Sequence, residues 1–564
     1  MLRWIRSYLH NRRARVSVNG TKGKQVLMRH GVPQGGVLSP TLFLIFINDL
    51  IENLPKGVHA ALYADDLVMW CKEEYATTAT YRMRLAADTL AAWAEEWNVT
   101  INKEKSSTTL FTLSSKQKPG IIKLGDTPLK NEEEATYLGV TFDKRQTWKP
   151  HIDRAEGKAR RKLAILRKLA GTHWGANQKI LKRVYQGAIR PHLEYGSTAW
   201  ATASKTNLQS LDRVQNQALR LITGSMRSTP IQAMEKVAVI QPLAQRRDEK
   251  ILVQAEKFRC LAQHPMTRRM DQSTSSRLKR RSFLHHSRTL ARRHQTPMPS
   301  ALPLKYADLP QPWNEEHKTF YISTTVPQVA PGDSQNDVVK RSLTLAMIAE
   351  QYPEESWIHA YTDGSATNAV TDGGAGVYIK TPEGHIVKAG IPTGKYCTNY
   401  AAEEKALMHA AALTQDLQND DTQVVFFTDA LSVLEALEGD KLPRLTEKLQ
   451  EVSKNRRVVL QWVPAHCGIP GNETADELAK QGAQEIQPEN SINFTEKKTI
   501  VKATFRPTTT RDPYRSLDRW QQVVIFRLRT GHCRLNAHLH TKMKLVPSPT
   551  CPCGLEDQTP EHVL

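Results

Sequence analysis

Two groups of acidic residues stand where carboxylates are costly. The first is Tyr63-Ala64-Asp65-Asp66, set between Ala60-Ala61-Leu62 and Leu67-Val68-Met69-Trp70. Adjacent carboxylates in an apolar strand carry a large desolvation cost, and on a regular strand they point to opposite faces. A tight hairpin turn brings both to one edge. There a divalent cation such as Mg²⁺, which takes carboxylate oxygens together with substrate phosphates, neutralises them. A bare Asp-Asp pair is also an ordinary solvated turn, so its neighbourhood decides the reading.

The second group is dispersed. Asp363 ends a strand pattern in Tyr361-Thr362-Asp363-Gly364-Ser365, and Asp429 ends Val424-Val425-Phe426-Phe427-Thr428. Glu403 shares a helix face with Ala406, Leu407 and Ala410, and Asp476 shares one with Ala479 and Ala483. Acids at the ends of buried strands or on apolar helix faces need partners. With no matching Lys or Arg expected nearby, four of them point to cations. Singly, each has a local explanation: Asp363 opens a turn, and Glu403 and Asp476 are solvated helix positions. Together they predict two Mg²⁺ ions about 3.5–4 Å apart, one activating water and one stabilising the leaving oxygen. His466 lies on the loop after the strand pattern at 460–463, where an imidazole with a near-neutral pKa suits proton transfer.

A third group is Cys551-x-Cys553-Gly554 followed by His562. This supplies three ligands where structural zinc takes four. His532 and Cys533 are candidates to complete it at long spacing. Cys71, Cys260, Cys397 and Cys467 have no metal-like spacing.

The elements that must position these groups fall into distinct stretches. Strands are expected at 15–18 and 25–29 around Asn19-Gly20, then a glycine-rich turn at 31–40. A helix follows over 82–97 from the spacing of Leu85, Leu90, Trp93 and Trp97, with strands at 108–113 and 137–142. Residues 150–225 read as helical and basic. Residues 264–335 read as a linker, with Arg277, Lys279, Arg280, Arg281, Arg288, Arg292 and Arg293 ahead of Pro297, Pro299, Pro303, Pro310 and Pro312. Such a run suits phosphate contact, nuclear targeting or plain solvation. From Trp357 a compact α/β pattern begins: strands at 358–363, 374–380 and 385–390, helix 400–413, strand 424–428, helix 430–437, strand 457–463 and helix 473–483.

Context around Asp65 and Asp66 narrows their reading. Gly31-Val32-Pro33-Gln34-Gly35-Gly36-Val37-Leu38-Ser39-Pro40 lies upstream, with Asn48-Asp49-Leu50 after it. Lys105-Ser106 and Tyr137-Leu138-Gly139-Val140 lie downstream. In this order the landmarks resemble the reverse transcriptase of non-LTR (LINE-type) retrotransposons. The resemblance implies Asp65 and Asp66 as Mg²⁺-binding palm carboxylates, Gln34 and Gly35 lining the template–nucleotide pocket, Lys105 near the triphosphate, and a helical thumb over 150–225. That family carries a further metal-binding Asp upstream of the glycine-rich turn, whereas residues 1–30 contain no Asp or Glu. The expectation is a truncated palm, lacking fingers, that does not polymerise by itself.

The signatures Tyr361-Thr362-Asp363-Gly364-Ser365, Thr398-Asn399-Tyr400-Ala401-Ala402-Glu403, Phe426-Phe427-Thr428-Asp429-Ala430 and Trp462-Val463-Pro464-Ala465-His466 run in order with the βββαβαβα pattern. They resemble type 1 ribonuclease H over about 355–485. This implies Asp363, Glu403, Asp429 and Asp476 as Mg²⁺ ligands, His466 as proton-transfer or product-release residue, and Asn399 as a hybrid contact. The substrate implied is the RNA strand of an RNA–DNA hybrid, told apart from DNA through its 2′-OH. LINE-type tails also carry a Cys/His zinc cluster, implying Cys551, Cys553 and His562 as Zn²⁺ ligands.

Composition fits. The 564 residues carry 78 Lys and Arg against 57 Asp and Glu, a formal charge of +21, which favours polyanionic partners: RNA template, DNA and their hybrid. Seven cysteines are too few for a disulfide scaffold and favour a reducing interior, nuclear or cytoplasmic. No apolar run reaches the roughly 18–20 residues of a membrane span. The Arg-rich N-terminus reads as an ordinary helix in preference to a presequence. The expected architecture is multidomain α/β and α+β: an incomplete reverse-transcriptase palm (1–145), a helical thumb (146–260), a basic and Pro-rich linker (261–352), an RNase H-like mixed sheet (353–485) and a basic tail (486–564) with a partial zinc-knuckle-like cluster. The alternative is a catalytically dead nucleic-acid-binding remnant.

Overall fold

A computed structural model describes residues 1–262, 264–270, 272, 282–296, 299–303, 318–329, 335–417, 422–507 and 512–564. Arg277, Lys279, Arg280, Arg281, Pro297, Pro310 and Pro312 lie outside the described residues. The chain divides into two compact units, Met1–Gly196 with Ala203–Ile231 and Leu517–Leu564, and Ser197–Thr202 with Gln232–Ser516.

In the first unit, Arg12–Ala14 pairs with Val26–Met28, and Ser17–Val18 with Thr21–Lys22. Helix α1 (Ser39–Ile47) starts on Pro40, whose missing N–H costs nothing in a first turn. Strands β1 (Val58–Tyr63) and β2 (Asp66–Cys71) form an antiparallel hairpin with Tyr63 opposite Asp66. Helix α2 (Ala76–Glu96) buries Ala87 and Leu90 against Ile47, Leu50, Ile122 and Leu124. The strand expected at 108–113 is cut to Ser107–Thr108, because its partner, Lys130–Asn131, is only two residues long. The strand expected at 137–142 is instead a hairpin of β3 (Glu134–Tyr137) and β4 (Val140–Asp143). Leu138 at φ 47° and Gly139 at φ 75° make a two-residue turn whose central residues both adopt left-handed backbone.

Helices α3 (Lys149–Leu169) and α4 (Lys205–Thr223) pack through residues such as Leu163, Leu166, Leu211 and Ala218, all buried. Part of the expected basic tail folds onto them. Arg519, on the helix Arg519–Arg529, is buried and donates to Gly171 O at 3.0 Å, Leu221 O at 2.7 Å and Ile222 O. Two of these carbonyls lie in the last turn of α4, where intrahelical donors run out. Charge counting cannot distinguish such a guanidinium from a solvated one.

In the second unit, the expected linker contains a helix. Helices α5 (Leu243–Cys260) and α6 (Phe283–Arg293) share a core formed by Ile251, Leu252, Leu290, Ala291, Val501 and Phe505. Arg288, Arg292 and Arg293 sit on α6, whose apolar face was hidden by the surrounding basic composition. Strand β5 (Tyr321–Ser323) and helix α7 (Asp337–Gln351) precede the sheet proper.

The central sheet has β6 (Trp357–Thr367), β7 (Thr371–Lys380), β8 (Ile386–Tyr396), β9 (Gln423–Thr428) and β10 (Val458–Trp462), in spatial order β5–β10–β9–β6–β7–β8. The first three of that order and β6 run parallel to their neighbours, and β6–β7–β8 are antiparallel. Helices α8 (Asn399–Gln415), α9 (Leu431–Glu438), α10 (Pro443–Ser453) and α11 (Pro470–Gln484) cover it, and α12 (Phe494–Thr504) follows. Val424, Val425, Phe426 and Phe427 on β9 are fully buried, as are Leu407, Leu434, Leu445 and Leu449 on the helices. A strand buried on both faces loses its alternation and reads as a continuous apolar run. The edge strand β5 and helix α10 were not expected. The signal for α10 was present in Leu445, Leu449 and Val452 at helical spacing.

Candidate active site

Strand β6 carries Asp363 and its parallel neighbour β9 delivers Asp429 just past its end. Helix α8 lies on β6 at Gly364: a Cβ there would come 2.2 Å from the Glu403 amide nitrogen, so glycine permits this approach. The result is a cluster. Asp363, Glu403 and Asp429 each offer a carboxylate oxygen within 4.8 Å of the other two. Asp363 is buried and Glu403 and Asp429 are half-buried.

Burial, then the neighbouring Asp429 and Asp476, push the Asp363 carboxyl up to about 7. Burial, then Asp363, Asp429 and Asp476, hold Glu403 well above the usual carboxylate range. Burial also raises Asp429, tempered by Asn472 and His466. Asn472 Nδ2 donates to Asp429 Oδ2 at 3.5 Å, and Trp462 Nε1 donates to the Asp429 carbonyl at 3.2 Å. Glu403 Oε2 is sealed from solvent with no hydrogen-bond partner among the described residues. A hard-oxygen donor set with an orphaned carboxylate oxygen fits Mg²⁺.

Asp476 reaches this cluster from α11 through Asp363. It does have a basic partner, contrary to expectation: Lys480 Nζ lies 2.5 Å from Asp476 Oδ2, one helical turn along. That lysine, with a side chain 58% exposed, sat at i+4 in the sequence and was overlooked. His466 is exposed at φ 51° on the loop between β10 and α11, near enough to lower Asp429. Asn399 is exposed on the first turn of α8.

In the first unit, the β1–β2 turn, with Ala64 at φ 51°, exposes Asp65 and Asp66 at one edge. Asp65 and Ala64 face Gln34, Gly35, Gly36, Ser39 and Phe43 across a hollow of about 500 Å³. Asp66 and Lys105 do not line it. Tyr137 of β3 donates to Ala61 O at 3.5 Å, and its hydroxyl pKa is raised by burial and by Asp66. Among the described residues, no third acid joins Asp65 and Asp66.

Comparison with known families separates these two centres. Residues 1–142 match reverse transcriptase (RNA-dependent DNA polymerase), and residues 355–484 match RNase H. A reverse-transcriptase-like segment is thus followed by an RNase H-like segment, and similar curated proteins are RNA-directed DNA polymerases of mobile elements. The chain is 30% identical over 299 residues to the RNA-directed DNA polymerase from mobile element jockey of Drosophila melanogaster, covering 51% of this chain and 32% of that protein. It is 32% identical over 226 residues to the probable RNA-directed DNA polymerase from transposon BS of the same organism, covering 39% and 25%. The chain therefore spans a third or less of the length of these curated relatives. RNase H1 from the halophilic archaeon Halobacterium salinarum NRC-1 is 26% identical over 22% of this chain and 96% of its own, with a TM-score of 0.20.

Near the C-terminus, one ligand atom each from Cys551, Cys553 and His562 lies within 4.8 Å of the others. Cys553 Sγ and His562 Nε2 are 3.1 Å apart. The Leu555 amide, then Cys551 and His562, lower the Cys553 thiol to about 7. Neither His532 nor Cys533 joins them. His532 Nδ1 is bonded to Ser228 Oγ at 3.0 Å, and buried Cys533 points to Gly531 O. Both are held by the fold of the first unit. In the RNase H domain, sequence reasoning missed Asn472 and Trp462. Asn472 sits one turn before Asp476 on the same helix face, which was a legible signal. No helix among the described residues is long and apolar enough to cross a membrane.

Proposed function

We propose that the RNase H domain is a Mg²⁺-dependent endoribonuclease that hydrolyses the RNA strand of RNA–DNA hybrids. The observation that carries this reading is the meeting of Asp363, Glu403 and Asp429, from three separate elements, around an unpartnered buried oxygen of Glu403. Asp363, Glu403, Asp429 and Asp476 would hold the cations. Bound Mg²⁺ supplies Lewis-acid activation of water and charge stabilisation at the leaving oxygen. Asn472 and Trp462 fix the side chain and backbone of Asp429. His466, exposed beside Asp429, accepts or returns a proton as product leaves. Asn399, at the exposed start of α8, contacts the hybrid, and discrimination of RNA rests on the 2′-OH.

The attached segment is read as an RNA-directed DNA polymerase palm. In it Asp65 and Asp66 bind Mg²⁺, Gln34 and Gly35 face template and nucleotide, and Lys105 meets the triphosphate. Two-metal phosphoryl transfer needs a fuller ligand set than these two carboxylates. The thiolate-and-imidazole set Cys551, Cys553 and His562 is read as a Zn²⁺ site with one position left for a further ligand. Seven free cysteines agree with a nuclear or cytoplasmic setting.

Incubating the chain with a labelled RNA–DNA hybrid and Mg²⁺ tests the nuclease. RNA-strand cleavage that drops at least about a hundredfold in Asp429→Asn supports it. Absence of cleavage, or equal cleavage by the variant, leaves the alternative, a catalytically dead binding remnant with salt-dependent affinity.

A further inference from the structure

The end of β8, which leads into α8 and Glu403, is held partly by residues beyond the RNase H match. Gln487 Oε1 accepts from the Gly394 amide at 2.9 Å, and Pro488 O accepts from the Lys395 amide at 3.1 Å. Asn490 Nδ2 donates to Thr393 O at 3.4 Å. That same carbonyl accepts from Lys405 Nζ on α8 at 2.5 Å. Gly394 sits at φ 129°, and a Cβ there would fall 2.3 Å from Asn490 Oδ1. A side chain at 394 would be strained at that φ and would push the Asn490 side chain off the end of β8.

Gln487 also turns toward α11, the helix of Asp476. Its Nε2 donates to Gly482 O at 2.9 Å and Ala483 O at 3.3 Å. Downstream the segment is tied again. Ile492, 1% exposed, donates to Ser300 O at 3.1 Å and accepts from the Leu302 amide at 2.9 Å. Then α12 begins on a capping box of Asn493 and Glu496, and Lys497 makes a fully buried ion pair with Glu256 of α5 at 2.7 Å. The segment is thus anchored at both ends, with its middle pressed on the residues before Thr398, the N-cap of α8.

We infer that Gln487, Pro488 and Asn490 form a positioning strap for Glu403 and Asp476. They touch no reacting atom. They set where α8 starts and where α11 ends, so the two helices present their carboxylates at a fixed separation. Sites of this kind tolerate displacements of only about 0.5 Å, and the end of β8 lies at the sheet edge, paired with β7 on one side and open to the strap on the other. The inference rests on the nuclease reading proposed above, and it places part of that site's determinants outside residues 355–484.

The test uses the full chain with the double variant Gln487→Ala/Asn490→Ala, and Gly394→Ala, which displaces the strap from the other side. Exposed Glu489→Ala is the control. Hybrid cleavage gives kcat and KM, calorimetry gives Mn²⁺ affinity, and amide hydrogen exchange is followed at Ala401–Glu403 and, for comparison, at Val425–Phe427. Expected are a kcat lower on the order of tenfold with KM unchanged, weaker Mn²⁺ binding, and faster exchange at Ala401–Glu403 but not at Val425–Phe427. Unchanged kcat and unchanged exchange in both strap variants overturn the inference. If the unaltered chain cleaves no hybrid, the nuclease reading fails, and the strap then stands or falls on the exchange at Ala401–Glu403 alone.

Discussion

Asp363 and Glu403 meet because Gly364 carries no side chain. The Glu403 amide lies where a Cβ on Gly364 would be, and the two carboxyl groups, one on a strand and one on a helix, come within 4.8 Å of each other. Placing these acids together without a cation is costly, and the cost is measurable.

Asp363 is raised to about 7 from an unfolded value of 3.8. A raised carboxyl contributes stability that is complete below the unfolded value and is lost as pH rises through the folded one. In chelator, Asp363→Asn has no such proton to lose. Its stability advantage over the unaltered chain is expected to grow between pH 5 and 8, to roughly 2–4 kcal/mol. Mg²⁺ narrows the gap at pH 8 by binding the unaltered chain. Urea unfolding at both pH values measures it, and a pH-independent difference refutes it.

Lys480 competes with any cation for Asp476. Because the lysine side chain is mostly exposed, Lys480→Ala should change stability by less than about 0.5 kcal/mol. It should also lower the Mg²⁺ concentration for half-maximal cleavage severalfold. A Mg²⁺ titration that shifts the other way would show that the lysine serves substrate instead.

The Lys497–Glu256 pair, 1% exposed on each side, is the buried ionic contact of α12 with α5. Among the described residues, Lys497→Met leaves Glu256 with Arg259 as its counter-charge. It is expected to cost roughly 1–3 kcal/mol, because the buried carboxylate loses one of its two cationic partners. Adding Glu256→Gln should return most of that. Denaturant unfolding of the single and double variants decides it.

Cys553, with its thiol near 7, should take Co²⁺ or Zn²⁺ together with Cys551 and His562. Metal displaces the thiol proton, so affinity should rise as pH climbs through about 7. Thiolate-to-cobalt absorption follows the binding, and Cys553→Ser should abolish it. Absorption that persists in that variant would exclude the site.

Local patterns were enough for much of this protein. The hairpin bearing Asp65 and Asp66, the buried strand ending at Asp429, and the helix faces of Glu403 and Asp476 follow from side-chain periods of two and 3.6 residues, which are properties of each element alone. Distances between elements are not. The approach at Gly364, the burial of Arg519 against helix-end carbonyls, and the strap from Gln487 to Asn490 depend on sheet register and on which surfaces pack. Those are set by contacts between residues far apart in the chain, and no single stretch of sequence encodes them.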